Sequence, residues 1–206
     1  MLILDLTVGV DEAQHIVSLG FMAHGVCPWW VGYLLASPLR RLLQDPGGIV
    51  GAFVSEGMTV LEPGPGMGFF TLELARRVGP GGRVIAVDVQ PKMLEALRKR
   101  AAKAGVVQRI ETRLPKEGRL GVEDLAGNVD FTLAFAMVHE VPNPAALFVD
   151  IQTALKPGGK LLFAEPSGHV RASAFEASLE LAKKSGLVLG SRPNIRRCHA
   201  AVLIRP

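Results

Sequence analysis

Val60-Leu61-Glu62-Pro63-Gly64-Pro65-Gly66-Met67-Gly68 is the stretch of this 206-residue sequence that decides its fold. The apolar residues 57–61 predict a short β-strand, and residues 69–78 carry apolar side chains at four-residue steps, which is helical spacing. Glycines in a turn between a strand and a helix let backbone N–H groups approach a ligand, because no Cβ intervenes. Glu62 adds a carboxylate for a cationic group. The loop therefore predicts a site for a ligand that has both an anionic and a cationic end.

Composition and charge are those of an ordinary globular protein. Hydrophobic residues make up 49% of the chain and charged residues 20%, and 206 residues are enough for one domain with a sizeable core. The net charge of +4 is too small to indicate an acidic partner, and a solvated basic surface is the simpler interpretation.

The two cysteines and the N-terminus bear on the compartment. Cys27 and Cys198 are far apart and have no neighbouring cysteine, which favours free thiols in a reducing cytoplasm, with a single disulfide as the alternative. The first four residues are apolar, but acidic residues follow and no basic segment precedes them. We therefore expect neither a signal peptide nor a membrane span, and a cytoplasmic location.

Strand and helix patterns alternate from residue 58 onward. Further strands are expected at residues 83–87, 109–114, 131–138, 160–164, 187–190 and 199–204. Helices are expected to start near Pro91, to span residues 145–155 and to include Phe175. The segment Pro46-Gly47-Gly48 is expected to break the chain. The alternation predicts an α/β fold, a doubly wound and mostly parallel sheet with helices on both faces. Ligands of such sheets bind at the carboxyl ends of the strands.

Four motifs, in this order, resemble the class I S-adenosylmethionine-dependent methyltransferases. They are the Gly-rich stretch 61–68, the acidic Asp88 after the second strand, the segment 130–141 (Asp-Phe-Thr-Leu-Ala-Phe-Ala-Met-Val-His-Glu-Val) and the segment 155–162 (Leu-Lys-Pro-Gly-Gly-Lys-Leu-Leu). The resemblance covers the chain from about residue 57 to its end. It implies a Rossmann-like methyltransferase fold with seven strands, of which the last is antiparallel. Residues 51–206 would form the cofactor-binding domain and residues 1–50 an N-terminal helical arm or lid.

The resemblance also implies which residues bind S-adenosylmethionine. Those expected around its methionine moiety are Glu62, Gly64, Pro65, Gly66 and Gly68, with Glu62 near the amino group. Asp88 is expected to bind the ribose, and Val89 and Leu114 to flank the adenine. Ala134 and Phe135 are expected to lie near the sulfonium. The family often has an acidic residue after the third strand, where this chain has Arg113-Leu114-Pro115-Lys116, so we expect backbone groups to recognise the adenine. Phe135 stands where an Asn is commoner.

A dinucleotide site of an NAD-type oxidoreductase is the alternative interpretation of the loop. That fingerprint is G-x-G-x-x-G, and counting from Gly64 and Gly66 the third glycine would be Phe69. Glu62 would also face a pyrophosphate with the wrong charge. Both observations favour the methyl donor over a dinucleotide.

His139 and Glu140 follow the fourth strand, where the family places its acceptor. A neutral His can take a proton near neutral pH, and a neighbouring carboxylate can orient its ring. We therefore name His139 and Glu140 as candidate catalytic residues, against the simpler interpretation that they stabilise a loop. Glu165 and His169, after the fifth strand, form a second candidate pair, for which loop structure around Pro166 and Gly168 is the simpler and slightly favoured interpretation.

The acceptor pocket is expected to be lined by Trp29, Trp30, Tyr33, His139 and His169. Aromatic side chains would shield a sulfonium from water, although the tryptophans could equally attach the N-terminal helices to the sheet. No metal ligand set is expected. The predicted function is in-line methyl transfer to a small molecule, without a nucleic-acid or membrane partner and with a homodimer as a possibility. A non-catalytic, regulatory subunit with the same fold is the alternative.

Overall fold

Seven strands form one sheet in residues 44–206, the part of the chain that the computed structural model describes. They are β1 (Thr59–Pro63), β2 (Arg83–Val87), β3 (Ile110–Arg113), β4 (Val129–Phe135), β5 (Leu155–Pro166), β6 (Val188–Ser191) and β7 (Cys198–Ile204). Their order across the sheet is β3-β2-β1-β4-β5-β7-β6. The first five strands run parallel, and β7 is antiparallel to both of its neighbours. The predicted sheet, with its antiparallel last strand, is confirmed.

Five α-helices cover the sheet in this part of the chain. They are α1 (Pro46–Val50), α2 (Thr71–Arg77), α3 (Pro91–Lys103), α4 (Pro144–Ala154) and α5 (Ala172–Lys184). Apolar side chains of α1, α2 and α3 pack on one face of the sheet, and those of α4 and α5 pack on the other. None of the helices in residues 44–206 is long and apolar enough to cross a membrane.

The segment Pro46-Gly47-Gly48 does not break the chain as expected, because it begins α1. Pro46 occupies the first turn, where its missing N–H costs nothing, and the Asp45 side chain accepts a hydrogen bond from the Gly47 N–H (3.0 Å). Arg77 of α2 donates to the Gly47 carbonyl (3.0 Å), and Val50 is buried in the core. Tertiary contacts therefore stabilise a helix that its glycines disfavour.

Two strand boundaries also differ from the expectation. β5 begins at Leu155 and not near residue 160, because Gly158 and Gly159 exchange backbone hydrogen bonds with Arg205 (2.8 and 3.0 Å). β4 ends at Phe135 and not at Val138, because Ala136 adopts a left-handed conformation (φ 57°) that ends the extended backbone.

Phe163 anchors the core beneath α4 and α5. Its ring is fully buried and contacts Phe148 of α4 (centroids 5.5 Å apart) and Phe175 of α5 (4.7 Å). We expect Phe163→Ala to lower the free energy of unfolding by about 3–5 kcal/mol, because it leaves a cavity between both helices and the sheet. Urea unfolding would measure this change. As a control, Val149→Ala removes a side chain of α4 that is 42% exposed and should change stability by less than about 1 kcal/mol.

Candidate functional site

The carboxyl ends of β1, β2, β4 and β5 meet at one edge of the sheet. Parallel pairing places Pro63 beside Val87, and Phe135 beside Ala164. The polar side chains predicted for the site follow or end these strands. They therefore lie along the same edge, where parallel sheets bind ligands.

The Gly-rich loop after β1 uses its glycine N–H groups inside the protein. The N–H groups of Gly64, Gly66 and Gly68 donate to the Val87 carbonyl, the Asp88 carboxylate and the Pro65 carbonyl, at 2.9, 3.2 and 3.0 Å. The expectation that these N–H groups face a ligand is therefore wrong. The loop is held against the sheet by them, and it offers no glycine N–H to an anion.

The glycines of this loop are instead needed for close approach. A Cβ at Gly64 would lie 2.8 Å from Cβ of Met137, and one at Gly68 would overlap Leu97 of α3. Gly66 differs, because no atom lies within 4 Å of the position that its Cβ would take. The missing side chain of Gly66 thus leaves open space in front of the loop.

Asp88 links the loop to the start of α3. Its Oδ2 accepts from the Gly66 N–H, and its Oδ1 accepts from the Gln90 N–H at 2.8 Å. Burial raises the pKa of Asp88 to about 6, in spite of these two hydrogen bonds, and the charge of Glu140 adds to the rise. Asp88 is thus a held, acceptor-only carboxylate at neutral pH.

Glu62 is a buried carboxyl group, and one of its oxygens has no hydrogen-bond partner among the described residues. That oxygen is Oε2, and the side chain is almost fully inaccessible. Burial raises the pKa of Glu62 to about 8, and the nearby Asp88 carboxylate contributes to the rise. A buried acceptor of this kind is costly unless something donates to it. The group that suits it is a cation that carries N–H donors.

The outer part of the edge is apolar and accessible. Val89 and Leu114 are 59% and 51% exposed, which is unusual for large apolar side chains in this protein. Leu114 also lines a cleft of about 220 Å³ together with Pro91, Leu94, Arg98 and Thr112. Both predicted adenine contacts therefore present free apolar surface.

The end of β4 has a strained turn. The ring of Phe135 packs against Phe70 (centroids 4.5 Å apart) in the core, and Ala134 is also fully buried. Ala136 has φ 57°, a conformation that costs a non-glycine residue on the order of 1–2 kcal/mol. This conformation redirects the chain after β4, so that the Met137 side chain lies against Gly64. The Phe135 ring is thus used for core packing, which leaves the backbone of this segment for any ligand contact.

His139 is held by Glu165 and not by Glu140. Its ring Nδ1 lies 2.7 Å from Glu165 Oε2, and its backbone N–H donates to Glu165 Oε1 at 3.1 Å. Glu140 Oε1 is 3.8 Å from Nε2 of the same ring, which is too long for a hydrogen bond. Glu165 therefore orients the ring, and the adjacent Glu140 contributes its charge. The hydrogen bond to Glu165 raises the pKa of His139 above its usual value, although burial opposes the rise.

The two candidate pairs named from the sequence form one cluster. His169 is exposed, and its ring lies edge-on to His139 with the centroids 4.9 Å apart. Sequence neighbours suggested His139 with Glu140 and Glu165 with His169. The parallel pairing of β4 with β5 brings His139 to Glu165 instead. The sequence contained a signal for this contact, because His139 and Glu165 both lie near the carboxyl ends of consecutive predicted strands.

Some predicted residues lie outside the described part of the chain. These are the aromatic pocket residues Trp29, Trp30 and Tyr33 and the rest of the predicted lid up to residue 43. Within residues 44–206, no three His, Cys, Asp or Glu side chains are grouped so that they could hold a metal ion.

The sequence matches known proteins over most of the described region. Residues 54–191 match the model of a protein family described as "Methyltransferase domain". An arsenite methyltransferase from Halobacterium salinarum is 35% identical over 114 residues, which are 55% of this chain and 28% of the relative. A ubiquinone biosynthesis O-methyltransferase from Xanthomonas axonopodis is 32% identical over 134 residues, 65% of this chain and 54% of the relative. The chain thus spans about half or less of these relatives.

A solved structure supports the same architecture. A SAM-dependent methyltransferase from Aquifex aeolicus superposes with a TM-score of 0.77 and 24% sequence identity. The match covers 88% of this chain and 100% of that protein. At this identity the comparison shows a shared fold.

Glu62 should make the stability of the ligand-free protein depend on pH. The folded carboxyl has its pKa raised from 4.5 to about 8, so the unfolded chain releases this proton at lower pH than the folded protein does. Stability is therefore lost as pH rises from about 4.5 through about 8. Each pKa unit corresponds to about 1.4 kcal/mol, so the loss is on the order of 3–5 kcal/mol.

Glu62→Gln removes this titration. We expect the variant to match the wild type near pH 5 and to be more stable than it at pH 8.5, in urea unfolding followed by circular dichroism. Equal pH dependence of the two proteins would show that Glu62 is not a buried acid with a raised pKa.

Proposed function

This chain belongs to the S-adenosylmethionine-dependent methyltransferase-domain family, and on that premise we propose that it transfers a methyl group from S-adenosylmethionine to a small-molecule acceptor. The observation that carries the proposal is the buried carboxyl of Glu62 beside the Gly-rich loop, whose Oε2 has no hydrogen-bond partner among the described residues. The ammonium of the methionine moiety supplies the charge and the N–H donors that this carboxyl lacks. S-adenosylmethionine supplies a methyl group on a positively charged sulfur, which makes that carbon electrophilic.

The remaining residues of this edge fit the rest of the same molecule. The open space in front of Gly66 accommodates the methionine chain between Gly64, Pro65 and Gly68. Asp88 is ionised at neutral pH and accepts hydrogen bonds from the ribose hydroxyls. The exposed side chains of Val89 and Leu114 bury their apolar surface against the two faces of the adenine.

Charge argues for this cofactor and against a dinucleotide. Glu62, Asp88 and Glu140 lie close together. Burial raises the pKa of Glu62 and the charge of Asp88 adds to that rise, while burial raises the pKa of Asp88 and the charge of Glu140 adds to it. Such a group of carboxylates attracts a sulfonium and an ammonium and repels a pyrophosphate. Since the loop glycines also donate their N–H groups internally, the loop has few means to bind phosphate.

The acceptor is proposed to bind beside His139, between the ends of β4 and β5. The protein then has to hold the acceptor atom in line with the methyl carbon, which is a positioning effect. The relatives named for arsenite and ubiquinone biosynthesis both act on small acceptors by their names, and this supports a small-molecule acceptor here. The net charge of +4 is small and gives no reason to favour a nucleic-acid acceptor.

Gly66→Arg tests the cofactor site directly. Its side chain would fill the open space in front of the loop without a clash in the core. We expect wild-type protein to bind S-adenosylmethionine in isothermal titration calorimetry and the variant to lose at least about 100-fold in affinity, because the same volume is occupied.

Gly127→Arg is the matched control for Gly66→Arg. Gly127 also has a positive φ (67°) and open space around its Cβ, but it precedes β4, at the opposite edge of the sheet. The Gly127→Arg variant therefore has similar backbone strain far from the site, and it should bind the cofactor with the affinity of the wild type. Full affinity in Gly66→Arg, or no binding by the wild type, would refute the proposed cofactor site.

Proton release separates a role of Glu62 from a general loss of binding. At pH 7 the free Glu62 carboxyl is mostly protonated, because its pKa is about 8. Binding of an ammonium requires the carboxylate, so up to about one proton should be released per cofactor bound. Calorimetry in buffers of different ionisation enthalpy would measure it, and Glu62→Gln should release fewer protons. Equal release by both proteins would place the ammonium elsewhere.

A further inference from the structure

Both oxygens of the Glu165 carboxylate are directed at one residue. Oε2 bonds ring Nδ1 of His139 (2.7 Å), and Oε1 accepts from the backbone N–H of His139 (3.1 Å). Glu165 is 1% exposed and lies one residue before the end of β5, so the backbone that carries the carboxylate is fixed by the sheet. These two contacts fix the orientation of the imidazole as well as its position.

The contact at Nδ1 determines which ring nitrogen is free. A carboxylate accepts hydrogen bonds and cannot donate, so a neutral imidazole beside it carries its proton on Nδ1. Nε2 then has the lone pair. Glu140 Oε1 lies 3.8 Å from Nε2, beyond hydrogen-bonding distance, and 21% of the His139 side chain is accessible. Nε2 is therefore a proton acceptor at the surface of the site.

The groups around the His139 ring favour its protonation. Glu165 faces the ring from β5 and Glu140 from the 3₁₀ turn Val138–Glu140, and both carboxylates stabilise an imidazolium. The His169 ring, on the loop after β5, lies edge-on to the His139 ring, and His199 is opposite Glu165 in the register of β7 with β5. The balance raises the pKa of His139, with the hydrogen bond to Glu165 as the main cause.

We propose that Glu165 positions His139 as the general base of this site, and that the methyl acceptor is therefore a hydroxyl, phenol or enol that loses a proton on methylation. The proposal rests on the proposed function and deepens it. His139 touches the acceptor, and Glu165 acts through His139. Glu140, the carboxylate next to His139 in sequence, has neither role.

The transfer step balances with these groups alone. A lone pair of the acceptor oxygen forms the bond to the methyl carbon, and the carbon–sulfur bond breaks with its electron pair passing to sulfur. The hydroxyl proton passes to Nε2, and the resulting imidazolium is paired with the Glu165 carboxylate. The positive charge lost at sulfur is thus gained by His139. No oxidant, reductant or metal is required.

The methyl-transfer step does not need a general base when the lone pair of the acceptor attacks before any proton is lost. Arsenite, a neutral amine or a thiolate needs only to be positioned for attack. A buried carboxylate that binds a histidine twice suits a histidine that must accept a proton, because it fixes the ring and stabilises the imidazolium. The alternative role for the same contacts is attachment of the loop after β4, and the two roles differ in what they predict for proton equilibria.

Nitrogen-15 NMR of the histidine rings tests the orientation without any acceptor. In protein saturated with S-adenosylhomocysteine, titrated from pH 5 to 9, we expect neutral His139 to carry its proton on Nδ1. Glu165→Gln should lower the pKa of His139 and reduce the population of this tautomer. Glu180→Gln, the same change at an exposed residue that pairs with Lys183, should alter neither.

Initial rates of radiolabelled methyl transfer test the acceptor class. The probes are a panel of phenols and 1,3-dicarbonyl enols, set against thiols, primary amines and arsenite. We expect methylation of the phenols or enols, with kcat lowered about 10²–10⁴-fold in His139→Gln and cofactor affinity within about twofold of the wild type. kcat/KM should rise with pH as His139 loses its proton, and in Glu165→Gln this rise should move to lower pH, because the pKa of His139 falls.

The outcomes separate this proposal from the proposed function. Failure of the wild type to bind S-adenosylmethionine refutes the function. If the wild type binds S-adenosylmethionine, three results would refute the base assignment alone. They are a neutral His139 that carries its proton on Nε2, a pH profile of kcat/KM that Glu165→Gln leaves unchanged, and no methyl transfer to any of the phenols and enols. Circular dichroism melting of each variant, together with the intact cofactor affinity of His139→Gln, shows whether a lost rate reflects lost folding.

Discussion

The burial of carboxylates at the ends of parallel strands is the constraint on which the rest of this site depends. Glu62, Asp88 and Glu165 are all nearly inaccessible. Each such group must be paired or must stay protonated, because a buried charge without a partner is very costly. Asp88 is paired by backbone N–H groups and Glu165 by His139, whereas Glu62 has no partner for one of its oxygens. The site therefore has a place for one cation.

These carboxylates divide the edge of the sheet into two halves. Glu62 and Asp88 end or follow β1 and β2 and suit the two ends of the proposed methyl donor. Glu165 lies one residue before the end of β5 and holds His139 on the side proposed for the acceptor. Between them the strained turn at Ala136 ends β4 and brings Met137 against the Gly-rich loop. The turn thus joins the two halves, and it sets the direction in which the chain continues to His139.

The partner of the His139 ring differs from the one that the sequence suggested. Sequence proximity suggested Glu140 as the partner of its ring, but a residue next in the chain often points elsewhere. The pairing of Phe135 with Ala164 places the end of β5 beside the turn that carries His139. Glu165 follows Ala164 and lies on the face of the sheet that α4 and α5 cover, so its carboxylate reaches Nδ1. The N–H groups of Gly64 and Gly66 show the same limit, because their partners are Val87 at the end of β2 and Asp88 just after it.

The sequence by itself determined the alternation of strands and helices, the seven-stranded sheet and the family, because these depend on apolar periodicity and on motifs within single segments. It also determined that Glu62, Asp88 and His139 lie near strand ends. Only the tertiary structure decided that the loop glycines donate internally, that Pro46–Val50 is helical and that Glu165 is the partner of His139. These outcomes depend on contacts between residues far apart in the chain, and such contacts have no local signature.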